Sequence, residues 1–190
     1  MKILCLYNNE CALPLFDEIR KLKHETVLMT ERLSLDYIRS ENFDLAVSYT
    51  YRYIISGDIL KALKGNIVNL HNSYLPYNRG ADPNLWSFAE NTPRGVTLHY
   101  MDEGLDKGYI IAQRLVTEGD GETLKSSYDN LDKNAREMFL EAFKEYDNWQ
   151  NMKHLPEGKG SYHSVKDGLL LKEKITSYDM KIEDFIKAVR

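Results

Sequence analysis

Asn69 and His71 stand two residues apart, and Asp106 follows in the glycine-flanked stretch Gly104-Leu105-Asp106-Lys107-Gly108. If Asn69 and His71 close a strand, the two-residue period places both on one side of it. An amide donor beside an imidazole suits acyl or formyl transfer. The amide hydrogen-bonds the oxygen on which negative charge develops, and the imidazole moves a proton near neutral pH. A carboxylate at Asp106 would orient that imidazole or a water and raise the imidazole pKa. The same residues also read as ordinary structure. Asn-x-His then supplies satisfied turn residues, and Asp106 forms an Asx turn before Gly108.

The other chemistry-bearing residues offer less. His99 sits on an alternating stretch and reads as a structural hydrogen-bonding group. His163, near Lys166 and Asp167, reads as a ligand contact or as part of a solvated loop. His24 and His154 lie among charged or loop residues. No H-E-x-x-H, paired-cysteine or carboxylate cluster points to a metal. No G-x-S-x-G elbow supports Ser73 as a nucleophile. The first turn, Tyr7 to Cys11, contains no glycine, so no G-x-G-x-x-G cradle for a pyrophosphate is expected there. The aromatic-rich stretch Ser48 to Ile55 reads either as a ring-binding loop or as a strand end packed on a helix.

Something must hold these residues in place. Apolar runs at Lys2–Tyr7, Glu25–Thr30, Phe43–Tyr49 and Asn66–Leu70 predict short strands buried on both faces. Helical spacing predicts helices between them over 11–23, 34–40 and 57–63, with Pro14 tolerated in the first turn and Gly65 as a stop. This β-α-β-α-β-α-β order argues for a mostly parallel, doubly wound α/β sheet. Ligands in such sheets bind beyond the carboxyl ends of the strands, where Asn69 and His71 would lie. A short helix is expected over 84–90. Strands over 96–101 and 109–116 are expected to form a hairpin. The longest helical pattern runs from Thr123 to Trp149, with a break near Asp132 allowed. Beyond Asn151 come a loop, the apolar run Leu169-Leu170-Leu171 read as a short strand, and a terminal helix over 179–190.

The totals narrow the function classes. The 190 residues suit one domain with at most a small appendage. A formal charge of −4 gives no basic footprint for nucleic acid. Cys5 and Cys11 lack metal-type spacing and read as reduced, buried thiols. The first apolar run is too short for a signal peptide, and no stretch is long enough to span a membrane, so a cytoplasmic location is expected.

The combined string Asn69-Leu70-His71-Asn72-Ser73-Tyr74-Leu75-Pro76, Arg79-Gly80, Pro83, Gly95-Val96-Thr97-Leu98-His99 and Asp102 to Gly108 resembles the folate-dependent formyltransferase family. The similarity is carried by residues 44–113. It implies a Rossmann-like formyltransferase fold, with a catalytic domain over 1–150 and a C-terminal extension over 151–190. It also implies transfer of a formyl group from 10-formyltetrahydrofolate to a primary amine, with no metal. Asn69, His71 and Asp106 match the family's catalytic Asn, His and Asp. Asn69 would stabilise the oxyanion and His71 would accept a proton from the amine. Asp106 would hold His71 or relay through a water.

The loop holding Ser48, Tyr49, Tyr53 and Ile54 falls where the family binds the pterin, largely through backbone groups, and Asp102 and Glu103 line its other side. The stretches with Tyr74, Tyr77 and Arg79, and with Asn84 and Trp86, are similar to the nucleotide-sugar N-formyltransferases and imply substrate contacts. The expected acceptor is a nucleotide-linked amino sugar. The absent glycine after the first strand disfavours glycinamide ribonucleotide. The extra C-terminal domain of methionyl-tRNA formyltransferases is not expected in these 190 residues. Formylation of another small amine, or a non-catalytic binder of folate or nucleotide sugar, remains the alternative. Members of this branch often form homodimers.

Overall fold

The computed structural model describes residues 1–117, 119 and 121–190. Its first half runs β1 (Lys2–Leu6), α1 (Leu13–Lys21), β2 (Glu25–Met29), α2 (Leu35–Glu41), β3 (Leu45–Tyr49), α3 (Gly57–Ala62) and β4 (Ile67–His71). The second half runs β5 (Arg79–Gly80), α4 (Pro83–Glu90), β6 (Gly95–Tyr100), β7 (Ile110–Leu115), α5 (Leu124–Phe143) and the single turn α6 (Trp149–Met152). It ends with β8 (Tyr162–His163), α7 (Val165–Lys172) and α8 (Ile182–Val189).

Six strands form one sheet in the order β2-β1-β3-β4-β6-β7. The first four are parallel, and β6 and β7 add as an antiparallel hairpin. Strand alternation decides which helices each side chain meets. Ile3, Cys5, Val47, Val68 and Leu70 pack with Phe16 and Ile19 of α1 and Leu131 and Phe139 of α5. Leu4, Leu6, Ala46 and Ile67 pack with Ile38 of α2 and Ile59 and Leu60 of α3. A third apolar cluster, Leu85, Phe88, Leu124, Leu171, Ile182 and Phe185, joins α4 and α5 to the C-terminal helices.

Two local expectations are corrected, and a third feature is new. First, α5 is unbroken at Asp132 and ends at Phe143. Thr123 starts it with a capping box to Ser126, and the Asp132 side chain is hydrogen-bonded by Tyr49 and Asn72 rather than competing for the helix backbone. Second, Leu169-Leu170-Leu171 is helix, not strand, because Ser164 and Asp167 form a capping box that nucleates α7. Third, the chain forms a two-stranded parallel pairing of β5 with β8, far apart in sequence, which no local pattern announces.

A candidate active site at the carboxyl end of the fourth strand

Residues 67, 69 and 71 of β4 share one face, and Ile67 packs on the α2 and α3 side. Register then lines up three polar side chains across neighbouring strands. Ser48 of β3 lies opposite Asn69, and Asn69 lies opposite His99 of β6. The Ser48 hydroxyl donates to Asn69 Oδ1 at 2.8 Å. This leaves the Asn69 NH2 facing the site, 3.4 Å from His99 Nε2. Ser48, expected on the pterin side, therefore orients the amide. His99, read from sequence as merely structural, is a member of the cluster.

His71 is 7% exposed, and its Nε2 lies 3.0 Å from the carbonyl oxygen of Asn78. A carbonyl can only accept, so Nε2 carries the proton, and a neutral imidazole keeps its lone pair on Nδ1. The Nδ1–H of His99 likewise donates to the Tyr100 carbonyl at 2.9 Å, directing Nε2 into the site.

Asp106 reaches both rings from the connection between β6 and β7. Its Oδ1 lies 3.5 Å from His99 Nε2, and its Oδ2 lies 3.8 Å from His71 Nε2. Oδ2 also accepts the Gly80 N–H at 2.9 Å. Asp106 is 9% exposed and has a φ of +50°, a conformation that Asp tolerates better than most residues. Gly108 permits this return of the chain, since a Cβ there would collide with the Tyr100 carbonyl. Burial alone would raise the Asp106 carboxyl. The charge of His71, the hydrogen bond and charge of His99, and the Gly80 N–H outweigh it and hold the group well below the usual carboxylate range. The expected Asn69, His71 and Asp106 thus converge, with His99 as a fourth polar member.

The two loops beside this cluster also meet. Glu103 is set against Gly57 at the start of α3, and Asp102 accepts the Gly104 N–H at 2.8 Å. Tyr53 is flanked by the Arg32 and Arg52 guanidinium groups, each 5.0 Å from its ring centre, and Ile54 is 82% exposed. Tyr49 behaves differently from its neighbour Ser48. Alternation turns its ring into the α1 and α5 face, where its hydroxyl donates to Asp132.

The substrate candidates separate. Tyr74 is half-buried beside Gly95, and Tyr77 is exposed. Arg79 is paired into β5, with its Nε donating to the Ser161 carbonyl at 3.2 Å. Asn84, expected as a substrate contact, is fully buried, with its amide engaged by Ser127 and Arg94. Trp86 stacks on His163 at 3.8 Å and 7°. That stack is the partner His163 finds in place of a solvated loop. Of the two thiols, Cys5 is buried and Cys11 half-buried, and burial pushes each up to about 12.

An amide donor, an imidazole and a buried carboxylate gathered beyond a parallel strand define a site for group transfer through a charged transition state. The sequence places that site in a known lineage. Residues 13–143 match the formyl transferase family, and the chain belongs to it. The methionyl-tRNA formyltransferase of Agathobacter rectalis is 32% identical over 71% of this chain and 43% of its own length. The dTDP-4-amino-4,6-dideoxyglucose formyltransferase of Mycobacterium bovis is 31% identical over 67% of this chain and 53% of its own. The chain thus spans about half the length of these two relatives. The crystal structure of the formyltransferase PseJ from Anoxybacillus kamchatkensis superposes with a TM-score of 0.87 and 36% identity, covering 100% of both chains. That crystal holds UDP-4,6-dideoxy-4-formamido-L-AltNAc and tetrahydrofolate. The likeness therefore extends through the C-terminal residues, well past the stretch whose motifs carry the resemblance. Among the described residues, no helix is long and apolar enough to cross a membrane, and no group of three His, Cys, Asp or Glu is placed to hold a metal.

Proposed function

We propose that this chain is a cytoplasmic N-formyltransferase that moves a formyl group from 10-formyltetrahydrofolate to the primary amine of a nucleotide-linked amino sugar. The observation that carries this reading is the end-to-end likeness to PseJ, crystallised with a UDP-linked formamido sugar and tetrahydrofolate. The loop over 50–56 leaves the carboxyl end of β3, and Asp106 of the loop over 102–106 reaches His71 at the carboxyl end of β4. With the exposed Ile54 and the arginine-flanked Tyr53, they suit a flat, partly apolar pterin.

The folate supplies an activated formyl carbon, and the residues of the chain divide the rest. In the balanced reaction the amine nitrogen bonds to the formyl carbon and that carbon's bond to folate N10 breaks. The amine loses a proton and N10 gains one. Asn69 donates its N–H to the formyl oxygen as that oxygen gains charge. His71 accepts the amine proton at Nδ1, the ring atom not committed to Asn78. Asp106 stays ionised and stabilises the imidazolium that results.

The test incubates 10-formyltetrahydrofolate with uridine-, thymidine- and guanosine-diphosphate amino sugars, with glycinamide ribonucleotide beside them. Tetrahydrofolate absorbance and product mass are then followed. One sugar should gain one formyl group. Asn69→Ala, His71→Ala and Asp106→Ala should each lose about 100-fold or more of turnover while keeping wild-type circular dichroism. Full turnover in His71→Ala would sink the assignment, and product from glycinamide ribonucleotide alone would replace the acceptor.

A further inference from the structure

The anchors of His71 and Asp106 lie in one three-residue stretch. Asn78 offers the carbonyl that takes the His71 proton, and Gly80 offers the N–H that holds Asp106. Two of its residues adopt left-handed conformations, Asn78 at φ +54° and Gly80 at φ +91°. Such a stretch needs external support to keep one shape.

That support comes from a segment more than eighty residues later. The Ser161 hydroxyl accepts the Asn78 N–H at 2.9 Å and donates to Asn78 Oδ1 at 3.0 Å, closing a ring of bonds on one residue. The other end of the Asn78 amide donates to Thr92 at 2.7 Å, and Asn78 is 0% exposed. The Ser161 carbonyl takes the Arg79 N–H at 3.1 Å, and the His163 carbonyl takes the Ala81 N–H at 2.9 Å. The fit is close. A Cβ on Gly80 would collide with the His163 carbonyl, and a Cβ on Gly160 would collide with the Pro76 carbonyl. The segment is tied down in turn, because His163 stacks on Trp86.

We propose that Ser161 is a positioning residue for the transfer reaction, fixing the tautomer of His71 and the placement of Asp106 through Asn78 and Gly80. The proposal rests on the roles given to His71 and Asp106 above. It assigns to the C-terminal extension a part in catalysis that is separate from packing. Removing the hydroxyl frees the Asn78 N–H and one side of its amide. The 78–80 stretch then samples other shapes, and the imidazole loses the acceptor that selects the Nε2–H form.

The test compares Ser161→Ala, Ser161→Thr and His71→Asn in steady-state kinetics, thermal unfolding and nitrogen-15 spectra of the histidine rings. Ser161→Ala should lower kcat about tenfold while KM for both substrates stays within about twofold, as expected when orientation rather than binding is lost. Its His71 signals should move away from the pure Nε2–H tautomer, and Ser161→Thr should restore both. Wild-type kcat and an unchanged tautomer in Ser161→Ala overturn the proposal. A fall in kcat with an unchanged tautomer overturns it too, in favour of a packing role. The spectra need no substrate, so a tautomer shift with no formylated product anywhere on the panel leaves the positioning standing and overturns the acceptor class instead. Near-wild-type turnover in His71→Asn overturns the catalytic assignment and the positioning with it. An inactive His71→Asn beside an unaffected Ser161→Ala overturns the positioning alone.

Discussion

The carboxamide of Asn69 has two ends of similar shape, and only one of them donates to an oxyanion. The Ser48 hydroxyl holds the oxygen end, so the NH2 end faces the site. Ser48→Ala removes that selection. Its kcat is expected to fall about tenfold with little change in KM, because one orientation of the amide is no longer favoured. Steady-state kinetics of the variant checks this, and an unchanged kcat would show that packing alone sets the amide. Asp106 gives a second test. Its folded carboxyl is held below the ordinary range by the two histidines and the Gly80 N–H, against the upward push of burial. The stability it contributes is therefore fully present above the unfolded pKa of about 3.9. It is lost as pH falls from there through the lower folded value. Asp106→Asn is expected to flatten the fall of Tm with acidification below about pH 4. Parallel curves for the variant and wild type in a thermal-unfolding series would refute this.

The elements act mainly by aiming side chains. The pleat of β4 sends Asn69 and His71 to one face, and pairing with β3 and β6 brings Ser48 and His99 beside them. The connection from β6 to β7 carries Asp106 back over the strand ends, and Gly108 makes that turn feasible. Gly108→Ala forces a methyl against the Tyr100 carbonyl. It is expected to destabilise the protein by about 2 kcal/mol or more and to reduce turnover as Asp106 is displaced. Urea unfolding and kinetics on the same variant measure both. Wild-type stability would mean that the loop has another shape open to it.

In the molecule as a whole, one apolar cluster joins the C-terminal helices to α4 and α5. Phe185 is fully buried there. Phe185→Ala is expected to cost about 3–5 kcal/mol and to lower Tm by roughly 10 °C in a single transition. Two separate transitions by calorimetry would show that residues 151–190 unfold independently of the catalytic residues. This packing also explains Asn84 and Trp86. The helix that carries them packs against α5, α8 and the β8 segment, where Asn84 bonds Ser127 and the half-buried Trp86 stacks on His163.

Local pattern alone was enough for the layered α/β architecture, because buried parallel strands and amphipathic helices each leave a period in the chain. It was also enough for Asn69 and His71 as a same-face pair, since a spacing of two has one meaning in a strand. The motif string from Asn69 to Gly108 pointed to the family, and the match over 13–143 agrees. Other features depend on contacts between distant parts of the chain. His99 and Ser48 join the site through strand register, which no single strand encodes. Asp132 lies within an unbroken helix because its carboxylate finds Tyr49 and Asn72 across the fold. The β5–β8 pairing rests on two residues in each strand, too few to leave a period, yet it holds the stretch that anchors His71 and Asp106. Short segments and single polar residues take their roles from long-range partners, and those partners are brought together only when the sheet and its helices pack.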